Sequence, residues 1–179
     1  MRVVAGRFGG RSLVAPRGSS TRPTSDRVRE ALFSILGPDP VEGARVLDLF
    51  AGSGAMGLEA LSRGALHVTF VDSSSAAVAA VRRNIGALGV EAEVRRQDAL
   101  AYLRSASRDA RLYDLVFLDP PYRHASALGP ELSTALGPVL APAARVVAES
   151  DRRAPLELDL TLIDERRYGD TLIRIHGSR

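Results

Sequence analysis

A chain of 179 residues with 45% hydrophobic and 25% charged residues has the length of one domain and the composition of one packed core, which excludes a disordered or multidomain protein. It contains no cysteine and no lysine, so disulfides, thiolate metal sites, cysteine nucleophiles, Schiff-base lysines and P-loop lysines are all excluded. The net charge is +3 but unevenly spread: residues 1–36 carry seven arginines against Asp26 and Glu30, while the rest carries 17 arginines against 19 acids. A basic arm on a near-neutral body suits a polyanionic partner, although a solvated charged face would look the same in composition. No apolar run reaches 18 residues and Met1–Arg7 has no apolar core of a signal peptide, so a cytoplasmic protein that neither spans nor crosses a membrane is expected.

In chain order, residues 2–14 alternate loosely around Phe8-Gly9-Gly10-Arg11, which predicts a β-hairpin carrying Arg2, Arg7 and Arg11. Residues 16–20 form a turn-rich linker. A helix follows, capped by Thr24 or Ser25, with Val28, Ala31, Leu32 and Ile35 as its apolar stripe and Gly37-Pro38 as its end. Arg22, Arg27 and Arg29 cluster at its entrance, where the amino end of the helix also attracts anions. Val46-Leu47-Asp48-Leu49-Phe50 is then a short apolar strand, and Ala51-Gly52-Ser53-Gly54-Ala55-Met56-Gly57 a glycine turn into a helix. Strand, glycine turn and helix together bring a ligand close to the backbone. A second strand, residues 67–72, ends in Asp72, 18 residues after Gly54 and near the ~20-residue offset at which an acid meets a ribose hydroxyl.

Residues 76–88 are predicted helical, 92–97 a more exposed strand running into Asp98, and 100–106 a helix. Next comes Leu115-Val116-Phe117-Leu118, a strand buried on both faces, stopped by Asp119-Pro120-Pro121-Tyr122. The two prolines remove two backbone donors and leave rigid carbonyls free to accept. A carboxylate, a bare carbonyl and an aromatic face at a strand end suit an exocyclic amine on a flat ring, which needs two acceptors and something to stack on. A plain polar turn is the alternative. Residues 128–140 read as a helix interrupted at Gly137-Pro138, 144–149 as a strand, and 158–167 with 171–176 as a closing hairpin. Alternating strands and helices predict an α/β fold, a doubly wound, mostly parallel seven-stranded sheet with an antiparallel finish. Asp48, Asp72, Asp98 and Asp119 then all fall at one sheet edge, where such folds bind ligands, although capping could account for Asp72 and Asp98 singly.

With those residues in view, the chain resembles class I S-adenosylmethionine-dependent methyltransferases that act on exocyclic amines, a Rossmann-like family. The runs from Arg22 to Glu30 and from Phe50 to Arg63 resemble the RsmD family, which methylates N2 of one guanine in 16S ribosomal RNA. The resemblance covers essentially the whole chain. It implies a basic β-hairpin extension at 1–20 and a methyltransferase domain at 21–179. It also implies that Asp48, Phe50, Ala51, Gly52, Ser53 and Gly54 border the methionine end of S-adenosyl-L-methionine. Asp72 and Ser73 would serve its ribose, Asp98 and Ala99 its adenine, and Thr24 would sit beside it. Asp119 and the Pro120 carbonyl would hold the guanine amine, with Tyr122 stacked on the base. Arg2, Arg7, Arg11, Arg22, Arg27 and Arg29 would hold RNA phosphates. The expected partner is 16S ribosomal RNA within the small subunit or a late assembly intermediate, bound by a monomer without a metal. A DNA adenine-N6 methyltransferase uses a similar pocket but usually carries an extra recognition domain. A non-catalytic assembly factor could keep the same fold.

Overall fold

The computed structural model describes residues 1–16, 25–121 and 125–178. Its seven strands are β1 Arg45–Leu49, β2 His67–Asp72, β3 Glu93–Arg96, β4 Tyr113–Leu118, β5 Leu140–Asp151, β6 Thr161–Tyr168 and β7 Thr171–Gly177. They lie in the order β3-β2-β1-β4-β5-β7-β6, parallel except for β7, which runs antiparallel to both of its neighbours. The helices are α1 Asp26–Leu36, α2 Ala55–Ser62, α3 Ser75–Leu88, α4 Ala99–Arg108 and α5 Ala125–Leu136. This is the expected doubly wound α/β sheet, with its switch of direction between β1 and β4. Among the described residues no helix is long and apolar enough to cross a membrane.

The apolar runs are continuous because both sheet faces are covered. Val46, Phe70, Leu115, Phe117, Val147 and Ile173 face one core, shared with Leu32 and Phe33 of α1, Leu58 of α2 and Val81 of α3. The intervening Leu47, Val71, Val116, Leu118 and Val146 face the other, with Leu103 of α4 and Leu132 and Leu136 of α5. Adjacent residues of one strand therefore belong to different cores. The caps fit the local sequence: the hydroxyls of Ser25 and Ser74 accept from the Val28 and Ala77 N–H groups, and Gly37 and Gly89 end α1 and α3. Near Gly137-Pro138 the α-helix stops as predicted and tightens into a 3-10 turn, Gly137–Val139.

Gly57 sits in the first turns of α2 against the sheet. A methyl group there would lie 2.4 Å from Phe70 Cε1 and 2.8 Å from Val68 Cγ1. Gly57→Ala gains about 1 kcal/mol of helix propensity, but overpacking costs about 1–3 kcal/mol. Because Phe70 is fixed between core and sheet, overpacking wins. The variant is expected to unfold at lower urea than the parent.

The amino-terminal arm differs from a regular hairpin. It crosses itself through one antiparallel bridge, Arg2 with Ser12, and its tip is a 3-10 turn, Gly6–Phe8. The cause is where its backbone donors go. The Val4 and Ala5 N–H groups donate to the buried Glu59 carboxylate of α2, at 2.7 and 3.0 Å, and the Phe8 N–H donates to Ser62 Oγ at 2.9 Å. Those groups are lost to a strand ladder. On α3, the Asn84 amide accepts from the Val14 N–H at 2.8 Å and donates to the Val14 carbonyl at 3.0 Å. It also donates to the carbonyl of Ser53 in the glycine turn, at 2.9 Å.

Arg29 corrects the expected phosphate cluster. Its side chain is wholly buried and donates to Asp26 at 2.8 Å and to the Arg2 carbonyl. It lies three and four residues before Leu32 and Phe33, on the core side of α1. It cannot reach a phosphate. Arg7 and Arg27 are exposed, Arg11 is exposed while donating to the Ala87 carbonyl, and Arg2 pairs with Asp26 at 3.2 Å. Arg22 lies outside the described residues.

Candidate active site

The site starts where β1 stops. Phe50 turns the chain at φ 88°, and its N–H and that of Ala51 both donate to the Val71 carbonyl at 3.0 Å. A positive φ in a bulky residue is uncommon and is held here by those two bonds to the neighbouring strand end. Gly54 follows at φ 79°, and a Cβ there would press on Phe70 and Val81 at 3.2 Å. It shapes the turn from below and does not line the cavity, unlike its expected neighbours Phe50, Ala51, Gly52 and Ser53.

Asp48 points under this turn and accepts the Gly57 N–H at 3.0 Å. Burial raises its pKa to about 7, the Gly57 N–H pulling it down and the Asp72 charge pushing it up. Asp72 accepts the Gly52 N–H at 2.9 Å and the Ser74 N–H at 2.8 Å, one on each oxygen. Asp98 caps α4, accepting the Ala101 N–H at 3.0 Å. The capping alternative thus holds for Asp98, whereas α3 is capped by Ser74 and Asp72 instead braces the turn before it; both roles are compatible with a site. Each carboxylate oxygen has two lone pairs, so the backbone bonds fix the groups while leaving acceptor capacity toward the cavity.

A cavity of about 340 Å³ joins them at the carboxyl ends of the strands. Asp48, Asp72, Ser73, Asp98, Ala99, Asp119 and Pro120 all line it, together with the turn residues named above. Asp119 opens onto the cavity and solvent on one side, while protein crowds it on the others. That crowding, then the charges of Glu149 and Asp48, hold its pKa well above the usual carboxylate range. Tyr122 and Thr24 lie outside the described residues.

Several lining residues were not expected. Glu149 of β5 is buried yet borders the cavity, as do Leu32 of α1, Ile173 of β7 and Met1, Ala15 and Pro16 of the arm. For Glu149 the signal was available, an acid closing an apolar strand as Asp72 and Asp119 do, but its neighbour across the sheet was not. The arrangement can bind a cationic, hydrogen-bonding ligand along the β1–β3 edge and present an amine acceptor at the β4 end.

Residues 1–177 match a family model described as conserved hypothetical protein 95. YlbH of Bacillus subtilis (strain 168) is 40% identical over 186 residues, covering 100% of both chains. Ribosomal RNA small subunit methyltransferase D of Haemophilus influenzae is 34% identical over 181 residues, covering 98% of this chain and 93% of its own. The solved structure of yhhF from Escherichia coli superposes with a TM-score of 0.84 at 34% identity, over 100% of this chain and 98% of that one. Full-length similarity of this degree, on a fold and cavity of the expected kind, shows that the chain belongs to the RsmD family, that of ribosomal RNA small subunit methyltransferase D.

Proposed function

We propose that this protein uses S-adenosyl-L-methionine to methylate the exocyclic N2 of a guanine in 16S ribosomal RNA, the family's guanine 966. The observation that carries this reading is the shared cavity: Asp119 and Pro120 open into the same space as Asp72 and Asp98. The family relationship supports the RNA substrate.

The donor set suits the cofactor. Three acids along the β1–β3 edge, Asp48, Asp72 and Asp98, favour a cationic ligand, and the bent backbone at Phe50–Gly52 allows close approach. Asp72 is placed for the ribose hydroxyls, Asp98 and Ala99 for adenine, and Phe50 to Ser53 for the methionine end. When bound, S-adenosylmethionine supplies an electrophilic methyl group on a sulfonium. Asp72→Ala is expected to weaken its binding at least tenfold in a calorimetric titration, since about 1.5–3 kcal/mol of charged hydrogen bonding is lost.

The chain's own task is to make a poor nucleophile react. The N2 lone pair of guanine is delocalised into the ring. Accepting its two N–H bonds, at the Asp119 carboxylate and the Pro120 carbonyl, favours a pyramidal nitrogen with its lone pair turned toward the methyl group. Positioning and stabilisation of the developing charge are the main catalytic contributions. Transfer would break the methyl–sulfur bond and leave the cofactor a neutral thioether, and the proton shed by N2 would go to Asp119, whose raised pKa suits it to accept. Tyr122 supplies the stacking face for the extruded base.

Arg7 and Arg27, with Arg2 and Arg11, form the RNA-facing surface and set register through phosphates. The double variant Arg7→Glu and Arg27→Glu is expected to weaken RNA binding by an order of magnitude or more and to flatten its salt dependence. Cofactor affinity should not change. Equal affinity for RNA across a salt titration would remove these arginines from the interface.

The decisive assay is tritiated methyl transfer to naked 16S RNA, to small subunits from a strain lacking the modification, and to duplex DNA, with nucleosides identified by mass spectrometry. N2-methylguanosine at one site supports the proposal and shows the assembly state used. We expect subunits or a late assembly intermediate to be preferred, acted on by a monomer. Label in DNA adenine, or none despite cofactor binding, would replace it with the DNA-enzyme or assembly-factor reading.

A further inference from the structure

Asp119 and Pro120 can hold an amine, but nothing in that pair distinguishes guanine from adenine or cytosine, which also carry exocyclic amines. The β4–β5 register places a second group beside them. Phe117 pairs with Val147 and Leu118 with Ala148, so the next step sets Asp119 against Glu149. Residues facing each other across parallel strands point to the same side of the sheet, about 4.8 Å apart. Asp119 and Glu149 therefore stand together on the side of Phe117 and Val147, and both line the cavity, which Leu32 and Ile173 also border. Glu149 keeps only 8% of its surface exposed, yet borders the cavity. It lies within β5, beside the end of β4. The influence of its charge on Asp119 is a further sign of their proximity.

We infer that Glu149 selects the base: its carboxylate accepts the N1–H of guanine while Asp119 and Pro120 hold the neighbouring N2 amine. This rests on the proposed reaction. On the Watson–Crick edge of guanine, N1–H and the N2 amine are adjacent donors, matched by two adjacent carboxyl groups. In adenine and cytosine the ring nitrogen next to the amine carries a lone pair instead. Facing a buried carboxylate, that lone pair leaves two acceptors opposed and neither satisfied, the kind of mismatch that polar sites reject most strongly.

The test uses small subunits reconstituted with guanine or 2-aminopurine at the target position. 2-Aminopurine keeps the 2-amine but has an unprotonated N1. The parent enzyme is expected to prefer guanine in kcat/KM by about 100-fold or more. Glu149→Gln, whose amide can donate to that N1, should bring the two bases within about tenfold, and Glu149→Ala should lose guanine transfer without gaining 2-aminopurine transfer. Equal S-adenosylmethionine affinity in all three proteins checks that they are folded. A guanine preference unchanged in Glu149→Gln overturns the assignment, as does a parent enzyme that uses both bases alike. A parent enzyme that binds cofactor and methylates neither base overturns the proposed reaction itself, and Glu149's role with it.

Discussion

Asp119→Ala is expected to lower methyl transfer by on the order of 10²- to 10³-fold while leaving S-adenosylmethionine affinity within about twofold. The side chain stands at the end of β4, beyond the β1–β3 edge assigned to the cofactor, so its loss strips one of the two amine acceptors and spares cofactor binding. Removal also relieves the repulsion among Asp119, Glu149 and Asp48, so the variant should be no less stable than the parent. Asp119→Asn separates the two roles of the carboxyl. The amide keeps one accepting oxygen but cannot take a proton. The pH profile tells them apart: with its pKa raised, Asp119 becomes a carboxylate only well above the usual range, so kcat/KM should climb with pH through that region. In Asp119→Asn the climb should vanish. A profile already flat from mildly acidic pH in the parent would show that the ionisation of Asp119 does not limit the reaction.

The second large effect concerns stability and runs the other way. Asp48→Asn is expected to stabilise the protein at pH 8 by on the order of 2–4 kcal/mol, since the folded-state pKa is lifted from 3.8 to about 7 and each unit is worth 1.36 kcal/mol. Between those two values the unfolded chain has released this proton and the folded chain retains it. Stability contributed by this group therefore falls as pH rises, and the cost is complete above about 7. Below the unfolded pKa both states are protonated and the cost disappears. Asparagine can still accept the Gly57 N–H without a charge to bury. Thermal melts at several pH values should show a gain in Tm that widens from pH 4 to 7 and then levels off; a gain independent of pH would dissociate it from ionisation. The variant should also bind S-adenosylmethionine less tightly relative to its neutral thioether product, because a negative charge is missing from the cavity wall. A buried carboxylate that costs stability is what a cation site requires.

Much of this was legible in the sequence. Strand ends, the glycine turn and the strand carrying Asp-Pro-Pro-Tyr are local patterns, and the acids that close apolar runs mark one sheet edge without knowledge of tertiary contacts. The turn signal at Gly137-Pro138 was read correctly for the same reason. Two residues show where local reading stops. Charge groups Arg29 with Arg22 and Arg27, though its helical phase with Leu32 and Phe33 puts it on the core side. In sequence, Glu149 is only the end of a strand. Its importance depends on which strand lies beside it, and the register of β5 on β4 joins residues about 30 positions apart. The arm's hairpin pattern was likewise real, but a single acid on α2 captured the donors that a ladder needs.

That acid makes the protein indivisible. By composition the arm looks like a detachable basic tail, yet its backbone is the solvent shell of Glu59: two main-chain N–H groups and the Arg63 guanidinium are what that carboxylate has in place of water. Cutting the arm away would take two of the three donors from Glu59, leaving Arg63 alone, and would free Asn84 from Val14 while it still holds Ser53. A truncated chain would thus report on the loss of these contacts as well as on RNA recognition. The arm belongs to the architecture of the glycine turn, so whatever disturbs one disturbs the other.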